Sequence, residues 1–395
     1  MKKLLLVTWV IILMSAIFFG SHGKVAVAEE KTIKIGALLP LTGPHSMWGS
    51  WYDHVFKFAL EEAGWTVAGK KIKLIVEDEG GTNINVALDK AKKLVGADKV
   101  DLILGPFIGG AHFSVLPYTS SLPLVDIIYT HPSPVKEELI NKYAFWMSPS
   151  YGDTTYPVGL YAYDVLGYRT VTTIATDHQV GRDFLGGFTS KFKSRGGQVI
   201  QQQWHPITET DFIPYLTNLK MADAMVTSSL GPPAQGRLYA QYDQLGLFKR
   251  MPILIAEAGS IPPSYMPSWG DKIIGIVGSQ KYLPSLDNPE NKKFFSAYTA
   301  KHKEIPDDKI VDGYITIRVL LAALEATGGN TDPDTLKAAL LRTEMDTPSG
   351  HFRFCPGRVA VQDIYVTEVK KIGGEIKWEV IKTYPAIEPT CETYP

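Results

Sequence analysis

The stretch "VDLILGPFIGGAHFSVLP", Val100–Pro117, runs from a short apolar segment into a glycine-rich turn and then into a helix-like tail. Gly105, Gly109 and Gly110 lie in the turn, and no charged residue occurs from Gly105 to Pro117. An apolar run bounded by glycine reads as a short strand buried on both faces. The strand-to-helix turn leaves backbone N–H groups at a helix start, where an anion or polar group binds well. The turn is not GxGxxG and no Lys-Ser/Thr follows it, so it carries little nucleotide signal.

Working outward, strand-like and helix-like stretches alternate from Thr32. "TIKIGALL" is a strand, and "WGSWYDHVFKFALEEAG" a helix with an apolar face at Trp51, Val55, Phe58 and Ala59. "KKIKLIVEDE" is a strand, "NINVALDKAKKLVG" a helix and "LPLVDII" a strand. The plan repeats: "RTVTTIATD", "QVIQQQWH", "ADAMVTSS" and "MPILIAE" read as strands separated by helical segments. Such alternation implies parallel sheets with helices on both faces. Asn288 to Leu341 is mainly helical, and "GHFRF" and "DIYVTEVKKIGGEIKWEVIKTY" then alternate with period two, Gly373-Gly374 making a hairpin turn. A β-rich ending after an α/β body implies that the chain returns to complete a sheet.

At 395 residues the chain is too long for one ordinary core, and two domains are expected. The net charge is −1 with basic residues scattered, which argues against a nucleic-acid surface or a polybasic membrane patch. Lys2 and Lys3 precede an apolar run from Leu4 to Phe19, and Ala26-Val27-Ala28 fits a cleavage site before Glu29. Residues 1–28 therefore read as a cleaved signal peptide; a retained anchor is the alternative. No cysteine lies near that site, so a lipoprotein is not expected, and the mature chain is placed in the periplasm. The two cysteines, Cys355 and Cys391, are expected to pair in an oxidising compartment. Without neighbouring histidines they make a poor zinc site, and no metal or cofactor is expected.

The ordered features resemble the periplasmic solute-binding proteins of ABC importers, in particular the branched-chain amino acid-binding family with its type I fold. "IKIGALLPLTGPHSMWG", "LILGPFIGG", "PLVDIIYTHP", "ATDHQVGRDFLGGF" and "GHFRF" followed by "YVTEVKK" carry the resemblance through their order and spacing. It implies two Rossmann-like lobes with parallel sheets, joined by three hinge crossings. These fall near Trp146 to Tyr151, Gly278 to Leu283 and Thr347 to His351. Lobe one then combines 32–148 with 283–347, and lobe two 149–282 with 348–395. The implied function is that of a monomeric carrier that captures a small ligand in the interlobe cleft and delivers it to a membrane permease.

Ligands of open α/β sheets bind outside the carboxyl ends of strands. The candidates are therefore Phe107, Gly109 and Gly110 after one strand, and Tyr129 and His131 after the next. Further along come Val180, Leu230 and Glu257. Trp48 matches a family position where an aromatic ring covers the ligand, and Tyr151 lies at the first crossing. The resemblance implies a serine hydroxyl where Gly109 stands and a threonine near His131, both for a ligand carboxylate. It also implies an acid at Glu257 for an ammonium group. Departure at two of these three positions leaves branched-chain or aromatic amino acids, aromatic acids and amides open as ligands. A periplasmic sensing protein and, more distantly, a hydrolase are the rival readings. For the hydrolase no GxSxG elbow, HExxH or Cys-His pairing is present.

Overall fold

The computed structural model describes residues 32–81, 83–132, 140–228, 231–259, 261 and 263–387. The signal-peptide segment, Leu230 and Cys391 lie outside them.

The first part of the chain builds β1 (Ile33–Leu39), α1 (Ser46–Glu62), β2 (Thr66–Val67), β3 (Lys70–Asp78), α2 (Ile84–Lys92), β4 (Leu102–Leu104), α3 (Gly109–Ser120), β5 (Val125–Ile128) and β6 (Ala144–Trp146). These strands form a six-stranded sheet of order β2-β3-β1-β4-β5-β6. All its pairs are parallel except β2 with β3. The "LIL" of β4 and "VDII" of β5 are buried throughout, as strands covered on both faces must be. Leu38, Ala87, Leu94, Ile103, Ala111 and Val115 form the core between the sheet and α2 and α3.

The second part builds α4 (Tyr151–Asp164), β7 (Thr170–Thr176), α5 (Gln179–Ser194), β8 (Gln198–His205), α6 (Ile213–Thr217), β9 (Ala224–Ser228), α7 (Pro232–Gln244), β10 (Ile253–Ile255), α8 (Met266–Trp269) and β11 (Val277–Gln280). Helix α4 begins at Tyr151, just after the β6 strand of the first sheet. Ser150 and Asp153 form a reciprocal capping box there, satisfying a first-turn N–H and the cap's own N–H. Helices α4 and α5 touch backbone to backbone: a Cβ on Gly187 would stand 2.2 Å from the Gly152 carbonyl oxygen.

The chain then forms α9 (Pro289–His302), α10 (Asp308–Ala326) and α11 (Pro333–Arg342), followed by β12 (Glu344–Thr347), β13 (Gly350–Phe354), β14 (Ala360–Ile372) and β15 (Glu375–Ile387). Helix α10 lies on α1, so close that a Cβ on Gly313 would meet Val55 Cγ1 at 2.4 Å. The final strands do return to a sheet. β14 pairs antiparallel with β11, giving the order β12-β13-β14-β11-β10-β9-β7-β8 with β15 on β14. Gly373 and Gly374, at φ 61° and 87°, make the hairpin turn that L side chains resist. The chain thus passes from the first sheet to the second after β6, back after β11, and to the second again after α11.

Candidate functional site

The turn of "GPFIGG" is held from below by a residue the sequence reading did not single out. Glu79, just past β3, is fully buried. Its two carboxyl oxygens accept from the N–H groups of Phe107 and Ile108, each at 2.9 Å. Two of the N–H groups expected to await a ligand are therefore already taken by the protein. Burial pushes the Glu79 carboxyl up to about 8, against the pull of the two backbone donors. Gly109 and Gly110 open α3 beyond this bracket, and a Cβ on Gly110 would rest 3.6 Å from Ile84.

Above the bracket stands an aromatic wall. Trp48 stacks on His45 at 5.0 Å and meets Phe107 at 5.6 Å. Phe107 lies 5.5 Å from Tyr52 and 6.1 Å from Tyr129. Trp48, Phe107 and Tyr129, three of the sequence candidates, thus come together. Tyr129 forms the base of this wall: it is fully buried and its hydroxyl donates to the Leu38 carbonyl at 2.6 Å. Tyr52 joins the wall to the hinge. Burial, then the Asp312 carboxylate and other neighbours, raise its hydroxyl pKa well above the usual value.

A polar cluster occupies the hinge. His131 is buried and stacks on Tyr151 at 4.1 Å. Its Nδ1 lies 2.7 Å from the Pro149 carbonyl oxygen, which can only accept, so Nδ1 carries the proton and donates. Burial, then the Lys281 and Lys309 ammonium groups, push this imidazole well below its ordinary pKa. The ring is therefore neutral and its Nε2 is an acceptor. With Nδ1 protonated, the lone pair of this ring lies on Nε2.

Lys281, on the second passage between sheets, donates to Asp312 Oδ2 at 2.6 Å and to Ser148 Oγ at 2.9 Å. Lys309 pairs with Asp308 at 2.8 Å. Burial alone would lower the Lys309 pKa; the Asp308, Asp312 and Glu257 carboxylates outweigh it and raise it. Asp307 caps α10 by accepting from the N–H groups of Lys309 and Ile310. Burial and then Asp308 push Asp307 up to about 7. Glu257, buried after β10, comes to the same place: a Cβ on Gly259 would stand 2.6 Å from Glu257 Oε1 and 3.0 Å from Asp308 Oδ2. The Tyr151 hydroxyl is pushed up to about 12 by burial, with Lys309 opposing and Asp183 and Glu257 adding. His131, Tyr151 and Glu257 thus share one electrostatic neighbourhood with Lys309.

Val180 is half-buried at the start of α5, where its N–H is held by His178 Nδ1. No described contact joins it to the wall or the cluster. The residues missed at the sequence level are Glu79, Lys281, Asp308, Lys309 and Asp312. Their signal was weak: acids beside glycines in "VEDEGG", a lysine in "GSQKY" and a cap in "PDDKIVDGY". Cys355 is buried and disulfide-bonded. No group of three or more His, Cys, Asp or Glu among the described residues is arranged to hold a metal ion.

Beside the cluster opens a cavity of about 1050 Å³, bordered by Gly259 and Asp308 and walled by Trp51, Ile261, Ile305 and Trp378. None of the sequence candidates lines it.

The profile of the periplasmic binding protein family matches residues 32–374. A Leu/Ile/Val-binding protein homolog 6 from Brucella melitensis is 25% identical over 355 residues, covering 87% of this chain and 89% of that protein. Among solved structures, an ABC transporter substrate-binding protein from Sphaerobacter thermophilus is 28% identical with a TM-score of 0.85, covering 91% of this chain and 99% of that one. A solute-binding protein of an ABC transporter from Rhodopseudomonas palustris, in complex with 3,4-dihydroxybenzoic acid, is 27% identical with a TM-score of 0.79, covering 91% and 99%. With two parallel-dominated sheets and chain passages between them, the chain belongs to the periplasmic binding protein family, as a type I solute-binding component of an ABC transporter and not an enzyme.

Proposed function

We propose that this carrier binds a small solute bearing an ammonium group and a flat or branched apolar part, an aromatic or branched-chain amino acid being the simplest. The observation that carries the reading is the junction of the Trp48–Phe107 wall, through Tyr52, with a cluster in which the Glu257, Asp308 and Asp312 carboxyl groups act on Lys309 and Asp312 also pairs with Lys281. An acidic group such as Glu257 at the edge of a low-dielectric cleft favours a cation. The apolar part lies against the wall, where ring stacking adds to area burial. The start of α3 at Gly109 and Gly110 suits the ligand carboxylate.

A second reading is a hydroxylated aromatic acid. The neutral His131, with Nε2 as acceptor, matches a phenolic hydroxyl, and the Rhodopseudomonas palustris relative holds 3,4-dihydroxybenzoic acid. In either case the lobes close over the solute by hinge motion and the closed form docks on the permease. The leader 1–28 is cleaved in this reading, the mature chain is a monomer free in the periplasm without a lipid anchor, and Cys391 is the partner of Cys355. The lobes follow those drawn from the sequence, 32–148 with 283–347 and 149–282 with 348–395, save that β12 (Glu344–Thr347), paired in the second sheet, goes with lobe two.

Thermal unfolding against a panel of amino acids, aromatic acids and amides tests the reading. A ligand at 100 times its Kd adds about 2.7 kcal/mol. A hit among amino acids that Glu257→Ala abolishes while the unliganded variant remains cooperatively folded supports the first reading. A hit restricted to hydroxybenzoates and weakened by His131→Ala supports the second. Turnover of any hit refutes both.

A further inference from the structure

We propose that the cavity bordered by Gly259 and Asp308 is a second subsite of the cleft, which takes the apolar tail of an elongated solute whose charged head sits in the Glu257–Lys309 cluster. The proposal rests on the carrier reading and extends it to the solute's shape.

Size is the first argument. The cavity measures about 1050 Å³. Pockets of ~300–1,000 Å³ enclose whole drug-sized ligands. A leucine or a benzoate held at the aromatic wall and the cluster would leave this space to water.

Composition is the second. Met47, Tyr265 and Ile305 are 52%, 41% and 60% exposed, and all three line this cavity. Scattered exposed apolar residues carry little meaning, whereas a group of them around one concave surface marks a binding site. They come from both sides of the cleft. Met47 belongs to α1 and Ile305 precedes α10, both packed with the first sheet. Tyr265 follows β10 and Trp378 lies on β15, both in the second. Hinge closure on a tail would therefore bury apolar surface from both sheets at once.

Continuity is the third. Gly259 and Asp308 belong to the cavity wall, and their neighbours Glu257 and Lys309 belong to the charged cluster. The two carboxylates pack directly on Gly259, where a Cβ would press on both, so the charged cluster abuts the cavity wall at that residue. A solute with a charged head and a chain of several methylenes, or a ring on such a chain, spans them.

The test is isothermal titration of the full chain, unfolded and refolded to strip bound solute. The titrants are two series: linear α-amino acids from alanine to 2-aminooctanoate, and ω-phenylalkanoates from benzoate to 5-phenylpentanoate. The expected result is a Kd that falls about fourfold per methylene over at least three successive members of one series, the factor that burying a CH₂ supplies. Ile305→Asp, at an exposed position that does not support the core, should flatten that dependence and leave the shortest binding member within twofold. Tyr265→Ser serves as the second variant.

Binding of short members with no gain in length overturns the subsite and leaves the carrier reading standing; the two apolar walls then simply meet on closure. Unchanged long-chain affinity in both variants also overturns it. If no member of either series binds, the subsite falls, and the ligand class is judged separately by the unfolding panel of amino acids and hydroxybenzoates.

Discussion

Replacing Lys281 with methionine removes one ammonium group from the hinge and leaves its partner in place. Lys281 and Asp312 have side chains only 4% and 6% exposed, with 2.6 Å between the charged atoms. Stranding one member of a buried pair costs about 3–5 kcal/mol, because the remaining charge keeps its desolvation penalty without its partner. Lys309 still acts on Asp312, which puts the expected loss near the lower end, about 3 kcal/mol. For a chain of this length that is a fall of about 4 °C in melting temperature. Calorimetry with urea titration at pH 7.5 measures it.

The sign with pH is fixed. Burial raises the Asp312 pKa and Lys281 lowers it, so the variant raises it further. The folded variant then prefers the protonated acid, and its deficit grows as the pH rises above the ordinary carboxylate range. The double variant Lys281→Met/Asp312→Leu removes both charges and should return to within about 1 kcal/mol of the parent. A single variant that loses less than about 1 kcal/mol, or a double variant no better than the single, would refute the reasoning.

Glu79→Ala should cost about 2–5 kcal/mol, because it leaves the buried N–H groups of Phe107 and Ile108 without acceptors. Glu79→Gln should lose less; equal urea midpoints for both would remove the bracket from the account. Asp126 is fully buried, accepts from the Thr119 hydroxyl and is pushed up to about 8 by burial. Its raised pKa stabilises the fold below the ordinary carboxylate range, and that contribution is lost as pH rises through 8. The non-titrating Asp126→Asn should therefore gain on the parent by roughly 2–4 kcal/mol between pH 4 and 7. A constant difference across that range would show that Asp126 titrates normally in the folded state.

Much of the architecture is legible in the sequence because its causes are local. Strand runs such as "LILG", the glycine stops and the Gly373-Gly374 turn act within a few residues, so periodicity and turn chemistry reveal them. The strand ends can be read in the same way, which points to Phe107 and Tyr129, whereas Trp48 comes from the family resemblance. The role of His131 could not be read so. Its residue type was plain, but its proton position depends on the Pro149 carbonyl and on two lysines far along the chain.

Local periodicity and turn chemistry carry the alternation of strands and helices, the glycine turn after β4 and the returning hairpin, and the order of the motifs carries the family. Which charges face each other is set by the folded chain. Ser148, Lys281 and Asp312 lie 133 and 31 residues apart along the chain, yet bond at 2.9 and 2.6 Å. Glu79 reaches 28 residues ahead to occupy the N–H groups that the turn offered. Periodicity is a property of neighbouring residues, and it records which face is buried. Coulomb energy and hydrogen bonding depend on distance and burial in the folded chain, which set the charge, tautomer and openness of the cleft.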